Sequence, residues 1–307
     1  MSFSNNVKNE ICNIKPQNNN QLYAKAYGML SFSKNFSVSD ISLHTTNKEI
    51  ADLYAKMIYT LVKIETSVTT REYIKDDKKT YVVSVDTLDD RIKVLSFFGH
   101  NKSAIKVHLG QIKSDEELKF FLSGVFLVCG NISNPQKSYH LEFVCPSTQH
   151  KKLIESLVLP IGIDLPMVTR RKSIILYTKD SQQIEDILAY MGAVKSIFSL
   201  MNVKIYKDIR NNVNRVTNCE TANIEKTVNA SSVQINDIRY LKEIGKLDEL
   251  PQNLIELANI RLENPDLSLR EIAELLGGGI TKSGVNHRFA KISKIANEYR
   301  ETNILKS

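Results

Sequence analysis

Between Lys282 and Lys294 the chain places four cationic side chains, Lys282, Arg288, Lys291 and Lys294, and no acid. Ser283, Asn286 and His287 are interleaved with them. Cations of this kind neutralise phosphates, while Asn and Arg can hydrogen-bond the edges of bases. Val285, Phe289 and Ile292 step by four and three and mark the buried stripe of a helix. Lys282, Ser283, Asn286, His287 and Lys291 lie off that stripe, with Arg288 at its border. Just upstream, Ser268-Leu269-Arg270-Glu271 has the form of a capping box opening a short helix to Leu276. Gly277-Gly278-Gly279 then makes a sharp turn, and Thr281 is a good N-cap for the second helix. A short helix, a Gly-containing turn and a second helix form a helix-turn-helix, whose second helix enters the DNA major groove. In that role Thr281, Lys282, Ser283, Asn286, His287 and Arg288 read or position, and Arg270 and Lys291 hold phosphates. Gly284 costs about 1 kcal/mol relative to Ala in a helix, and close approach to DNA or to the preceding helix would explain it. The same residues also fit a solvated basic helix in a small bundle, and spacing alone leaves both readings open.

The elements that hold this segment belong to a chain of 307 residues with 41 Lys+Arg, 34 Asp+Glu and a net charge of +7. Apolar residues make up 42% and charged ones 24%, which excludes a disordered chain, a collagen-like fibre and a disulfide scaffold. The length predicts two or three domains. Residues 213–307 carry 13 basic and 13 acidic side chains, so the whole excess sits in 1–212, with 28 against 21. The C-terminal segment is therefore neutral overall and concentrates its cations on one helix. The N-terminus lacks the basic-then-apolar pattern of a signal peptide. The longest apolar runs, such as Gly124–Cys129, fall far short of the ~18–20 residues that cross a bilayer. The expectation is a cytoplasmic protein with no membrane partner. Cys12, Cys129, Cys145 and Cys219 show no metal-ligand spacing, so free thiols, no metal and no cofactor are expected.

An internal repeat organises the N-terminal part. Aligned on Gly28 and Gly124, both halves read helix, two strands, helix, two strands, helix, over about 22–100 and 118–195. The expected fold class is α+β, a duplicated pseudo-twofold domain over 1–200 with its strands in one broad mixed surface. A basic, Asn-rich strap follows as a linker over 201–213. From about Asn214 the period turns helical, giving a long helix to Gly245 and an all-α domain over 214–307.

Three segments together resemble the WhiA family of bacterial transcription regulators, associated with sporulation and cell division. They are Ser268–Ala273 with Lys282–Arg288, Asn214–Asn223, and Lys137–Glu142. The resemblance spans essentially the whole chain. It implies an N-terminal domain similar to the monomeric LAGLIDADG homing endonucleases, joined to a helix-turn-helix similar to region 4 of sigma factors. It further implies double-stranded promoter DNA as partner, nucleoid association, and another regulator or RNA polymerase as a second partner.

In those endonucleases the first helix of each repeat ends in an acid, and the two carboxylates hold divalent metal against the scissile phosphates. Alignment puts Ser33 and Cys129 at these positions, and neither is a hard anionic oxygen ligand. The expectation is a regulator without nuclease activity. The rival readings are an active or remodelled endonuclease and a protein-interaction scaffold with secondary DNA contact. Lys34, Arg71, Lys75, Arg170, Arg171 and Lys172 lie near the strands. They are candidates for a second DNA contact or simply solvated strand ends.

Overall fold

The computed structural model describes residues 2–64, 66–100, 106–170, 173–277 and 279–304. Contacts divide the chain into two units, Met1–Lys207 and Asp208–Ser307.

The first unit opens with a helix that periodicity did not single out, α1 (Phe3–Asn13), capped by Ser2, whose hydroxyl accepts from the Asn5 amide. The first repeat follows as α2 (Asn19–Ser31), β1 (Asn35–Phe36), β2 (Ile41–Thr45), α3 (Lys48–Val62), β3 (Val68–Lys75), β4 (Lys78–Val85) and α4 (Leu88–Phe97). The second comprises α5 (Asp115–Cys129), β5 (Gly130–Ile132), β6 (Leu141–Cys145) and α6 (Thr148–Val158), then a 3-10 turn at Leu159–Ile161. It closes with β7 (Met167–Arg170), β8 (Ser173–Thr178) and α7 (Ser181–Tyr190). The expected single mixed surface is instead two separate four-stranded sheets, ordered β1-β2-β4-β3 and β5-β6-β8-β7, with every pairing antiparallel. Each order is the other shifted by four strands, as duplication requires. Asp76 and Asp77 turn β3 into β4 with φ of 50° and 59°. Two left-handed residues make the type I′ geometry that a tight hairpin needs.

Helices α2 and α5 pack directly on one another, and both are buried along most of their length. A Cβ on Gly28 would overlap the Phe121 carbonyl oxygen and lie 3.0 Å from the Val125 nitrogen. A Cβ on Gly124 would overlap the Lys25 carbonyl oxygen and lie 3.1 Å from the Met29 nitrogen. The two contacts are mirror copies: Lys25, Gly28 and Met29 correspond to Phe121, Gly124 and Val125 at an offset of 96 residues. Only glycine permits this approach.

A buried histidine, His100, and a half-buried one, His150, carry a pH dependence. His150 reaches the Ser31 carbonyl through Nε2 (2.9 Å) and Ser147 Oγ through Nδ1 (2.8 Å). His100 Nε2 meets the Tyr27 hydroxyl at 3.0 Å. Burial pushes both imidazoles below the ordinary value of 6.5, with nearby His108 adding to the shift at His100 and the Ser31 carbonyl opposing it at His150. A histidine depressed in the folded state costs nothing while both states are neutral. As pH falls through 6.5 the unfolded chain protonates first and stability is lost. The loss is bounded by about 1.4 kcal/mol per pH unit for each group. Thermal unfolding should therefore move down between pH 7.5 and 5.5, and His150→Gln should flatten that dependence.

The strap and helix expected over 201–213 and from 214 are one element, α8 (Val194–Glu243), 50 residues long. No glycine or proline stands between Gly192 and Gly245, both at positive φ, so nothing breaks the hydrogen-bond ladder. The linker expected at 201–213 is thus helical. In the second unit α8 is followed by α9 (Gln252–Glu263), α10 (Leu269–Leu275) and α11 (Lys282–Ile304). α11 runs well past Ile292, because Ile292 and Ala296 continue its buried stripe. Its core joins Ile238 and Leu241 of α8, Leu254 and Leu257 of α9, Ile272 of α10, and Val285 and Phe289 of α11.

Candidate nucleic-acid interface

In the second unit, the turn between α10 and α11 is set by local chemistry. Ser268 Oγ accepts from the Glu271 amide and the Glu271 carboxylate accepts from the Ser268 amide, closing both sides of the capping box. Gly277 takes φ of 84° and ends α10. Thr281 Oγ1 accepts the Gly284 amide at 3.2 Å and starts α11. Gly284 itself faces Ile280: an added Cβ would come within 2.6 Å of Ile280 Cγ1. The neighbour is thus a side chain of the turn rather than the preceding helix. Gly278 lies outside the described residues.

Val285, Phe289 and Ile292 are buried against α9 and α10, which fixes what α11 turns outward. Thr281, Lys282, Ser283, Asn286, His287 and Lys291 are exposed, and Arg288 is half-buried at the border. At about 100° per residue the outward set from Lys282 to Lys291 covers roughly half of the helix circumference. Lys282, Arg288 and Lys291 form no ion pair among the described residues. Lys294 is 3.9 Å from Glu298, and Arg270 of α10 is 3.5 Å from Glu274. Both pairs are exposed and hold their cations weakly.

A residue that sequence reasoning missed supports this geometry. Arg261 of α9 is 1% exposed. Its guanidinium donates to the carbonyls of Leu267 (2.6 Å), Pro265 (3.3 Å) and Asn264 (3.5 Å), and it stacks over the Phe289 ring at 5.3 Å. It therefore fastens the loop that delivers α10 to the face of α11. No periodicity signals a buried arginine, because its partners are main-chain atoms of a loop. A second tie joins Arg300 Nη1 to Asp237 Oδ1 at 2.6 Å, between α11 and α8. Arg261→Ala leaves these carbonyls without their charged donor, and a hydrogen bond to a charged group is worth about 1.5–3 kcal/mol. Hydrogen exchange of full-length protein should show protection lost in α10 and α11 and retained in α2 and α5.

In the first unit Ser33 and Cys129 stand at equivalent ends of α2 and α5, at the same offset of 96 as the seam glycines. Ser33 is buried and its hydroxyl donates to the Leu30 carbonyl at 2.7 Å. Cys129 is buried, and burial drives its thiol far above the ordinary range, so it is neutral. Asp40 and Glu142 lie beyond the helix ends, in polar networks of the sheets. Asn35 donates to Ser42 Oγ (3.0 Å) and Ser42 to Asp40 (3.0 Å), while Asn131 and His140 meet Glu142 (3.2 Å each). Among the described residues no group of three His, Cys, Asp or Glu is placed to hold a metal ion.

Of the cations expected near the strands, Lys34, Lys75 and Arg170 are exposed. Arg71 pairs with Asp86 at 3.3 Å, and Arg171 and Lys172 lie outside the described residues. Register shows that the outward faces of the two sheets differ. The first carries Ser42, His44, Val82, Ser84, Thr69, Arg71 and Tyr73; the second carries Glu142, Val144, Ile175, Tyr177, Val168, Arg170 and Ser173, so each mixes polar and apolar side chains. No described helix is long and apolar enough to cross a membrane.

Residues 118–210 match the model of the WhiA LAGLIDADG-like domain, and residues 213–296 that of the WhiA C-terminal HTH domain. A protein of Thermoanaerobacter pseudethanolicus named probable cell division protein WhiA is 36% identical over 318 residues, covering 99% of this chain and all of that one. Its namesake in Clostridium tetani is 36% identical, covering 97% and 98%. The crystal structure of full-length DUF199/WhiA from Thermatoga maritima superposes with a TM-score of 0.59 at 22% identity, over 97% of this chain and 99% of that one. That likeness bears on the fold alone.

Proposed function

The chain belongs to the WhiA family, and from that premise we propose that it is a non-enzymatic transcription regulator whose α11 reads double-stranded promoter DNA. The observation that supports this is the acid-free outward arc of α11, carried on a helix-turn-helix and free of ion pairs at Lys282, Arg288 and Lys291 among the described residues. Thr281, Lys282, Ser283, Asn286, His287 and Arg288 enter or border the major groove, with Asn286 and Arg288 suited to base edges. Arg270 and Lys291 take phosphates, Arg270 exchanging an exposed carboxylate for the DNA backbone. The relatives are named for cell division, so division or sporulation genes are the proposed targets, in the cytoplasm and on the nucleoid. Another regulator or RNA polymerase is the proposed second partner. No cofactor enters this reading.

Neutral Ser33 and Cys129 support the absence of nuclease chemistry, since a metal-assisted cut needs anionic ligands at the paired helix ends. Lys34, Lys75 and Arg170 offer a secondary grip on DNA, to which Arg171 and Lys172 would add.

Titrating full-length protein with a division-gene promoter over a salt series tests the proposal. Log K should fall with log salt at about −0.9 per neutralised phosphate. Absent or salt-independent binding would refute it. Supercoiled DNA incubated with the protein and Mg²⁺ should stay intact. Cutting that Cys129 or Ser33 substitution abolishes would restore the endonuclease reading.

A further inference from the structure

Helix α8 has two unlike sides. On one, Leu200 is buried in the core of the first unit, Lys204 pairs with Glu185 at 3.3 Å, and Lys207 donates to the Pro135 carbonyl at 2.6 Å. At about 100° per residue, Phe198, Ile205 and Ile209 stand on the opposite side of the helix, and each is more than half exposed. Met201 belongs to the same row. Beyond Ile209, steps of four, three and eight residues carry the row on through Val213, Val216 and Ile224, all exposed. Glu220, between the last two, is the one acid within it.

From Asp208 to Lys226 every residue of α8 is exposed, so this stretch of the row has no core to face. An amphipathic helix normally buries its apolar stripe against another element, and a contiguous exposed apolar surface marks an interaction site. Seven apolar side chains of roughly 100 Å² each supply most of the ~800 Å² per partner that a stable interface buries.

The charges select the occupant and its direction. Asp208 and Arg215 lie on the same edge of the row, and neither has an ion pair among the described residues. A parallel second copy would set Glu220 against Glu220 and Arg215 against Arg215. An antiparallel copy, centred at the level of Asn211, sets Glu220 beside Asn202 and Asp208 beside Arg215. The same register brings Ile209 level with Val213, Ile205 with Val216 and Phe198 with Ile224.

We propose that α8 pairs antiparallel with α8 of a second copy of this chain, making the protein a homodimer. Both copies contribute the same patch, so the twofold contact is closed and carries the Asp208–Arg215 pair twice.

The test is sedimentation velocity and light scattering of full-length protein over a range of concentrations, without DNA. The mass should rise with concentration from 34.8 kDa towards twice that value. Ile209→Lys with Val213→Lys should hold it at the monomer value with circular dichroism unchanged, since both side chains are exposed. Asp208→Arg should weaken the dimer about tenfold by facing Arg215, and adding Arg215→Asp should restore it. Three outcomes would overturn the proposal, whatever the DNA titrations give: a monomer at every concentration, an unchanged dimer in the double lysine variant, or a charge swap no tighter than Asp208→Arg alone.

Discussion

Replacing Gly28 or Gly124 with alanine is expected to lower the melting temperature of the first unit by roughly 6–12 °C, about 3 kcal/mol in a domain of this size. In an ordinary helix the same change stabilises by about 1 kcal/mol, because alanine is the better helix former. The sign reverses here because the obstacle is main chain. An added methyl at position 28 meets the Phe121 carbonyl, and at 124 the Lys25 carbonyl. A flexible side chain can swing aside; a carbonyl in the middle of a buried helix cannot. Relief requires α2 and α5 to separate, and these two helices hold much of the unit's apolar core. Both variants should suffer similarly, since the contacts are copies of one another, and the double variant should be worse than either. Calorimetry on the two single variants checks this. A neutral or raised Tm would mean that the helices do not cross this closely.

Lys282→Glu with Lys291→Glu is the substitution expected to act most strongly on DNA. Both side chains are exposed on α11, so folding should be untouched and circular dichroism unchanged. Each lost phosphate contact lowers the salt slope by about one. Reversal adds repulsion, so affinity near physiological salt should fall about a hundredfold or more, on every sequence alike. Asn286→Ala should behave differently. Its loss should relax preference at one base pair, by roughly 1–3 kcal/mol of discrimination, and leave the salt slope in place. Electrophoretic or anisotropy titrations on specific and scrambled DNA separate the two patterns. Identical behaviour of both variants would place α11 outside the groove.

These two predictions draw on parts of the molecule that were unequally visible in the sequence. The outward arc of α11 follows from the four-and-three spacing of Val285, Phe289 and Ile292, because a helix that buries one stripe must expose the opposite one. The repeat was equally legible, since strand and helix periods recur in the same order. The closeness of the seam was only half visible. A glycine inside each aligned helix marks the place, but the partner carbonyl is known only once the helices are packed. The extent of α8 was available in principle from the lack of any breaker between Gly192 and Gly245. Its Asn-rich, basic composition points to a connector instead. Exposed asparagine is a modest helix former rather than a stop, and in a long helix cooperativity carries it. Lys25 and Arg261 lay beyond the sequence altogether. Each is a cation buried by contacts with main-chain carbonyls, and such contacts leave no trace in residue type.

The seam between α2 and α5 also bears on how the molecule is able to vary. In a pair of identical subunits, any substitution at the axis is made twice, on both sides at once. Here a single gene encodes both sides, so each half mutates alone. The glycines at 28 and 124 remain matched because each contact restrains its own copy. A few residues further along, positions 33 and 129 hold serine and cysteine, and the outward faces of the two sheets carry different side chains. A fused chain can thus keep the axis of a twofold symmetry while the residues away from it diverge.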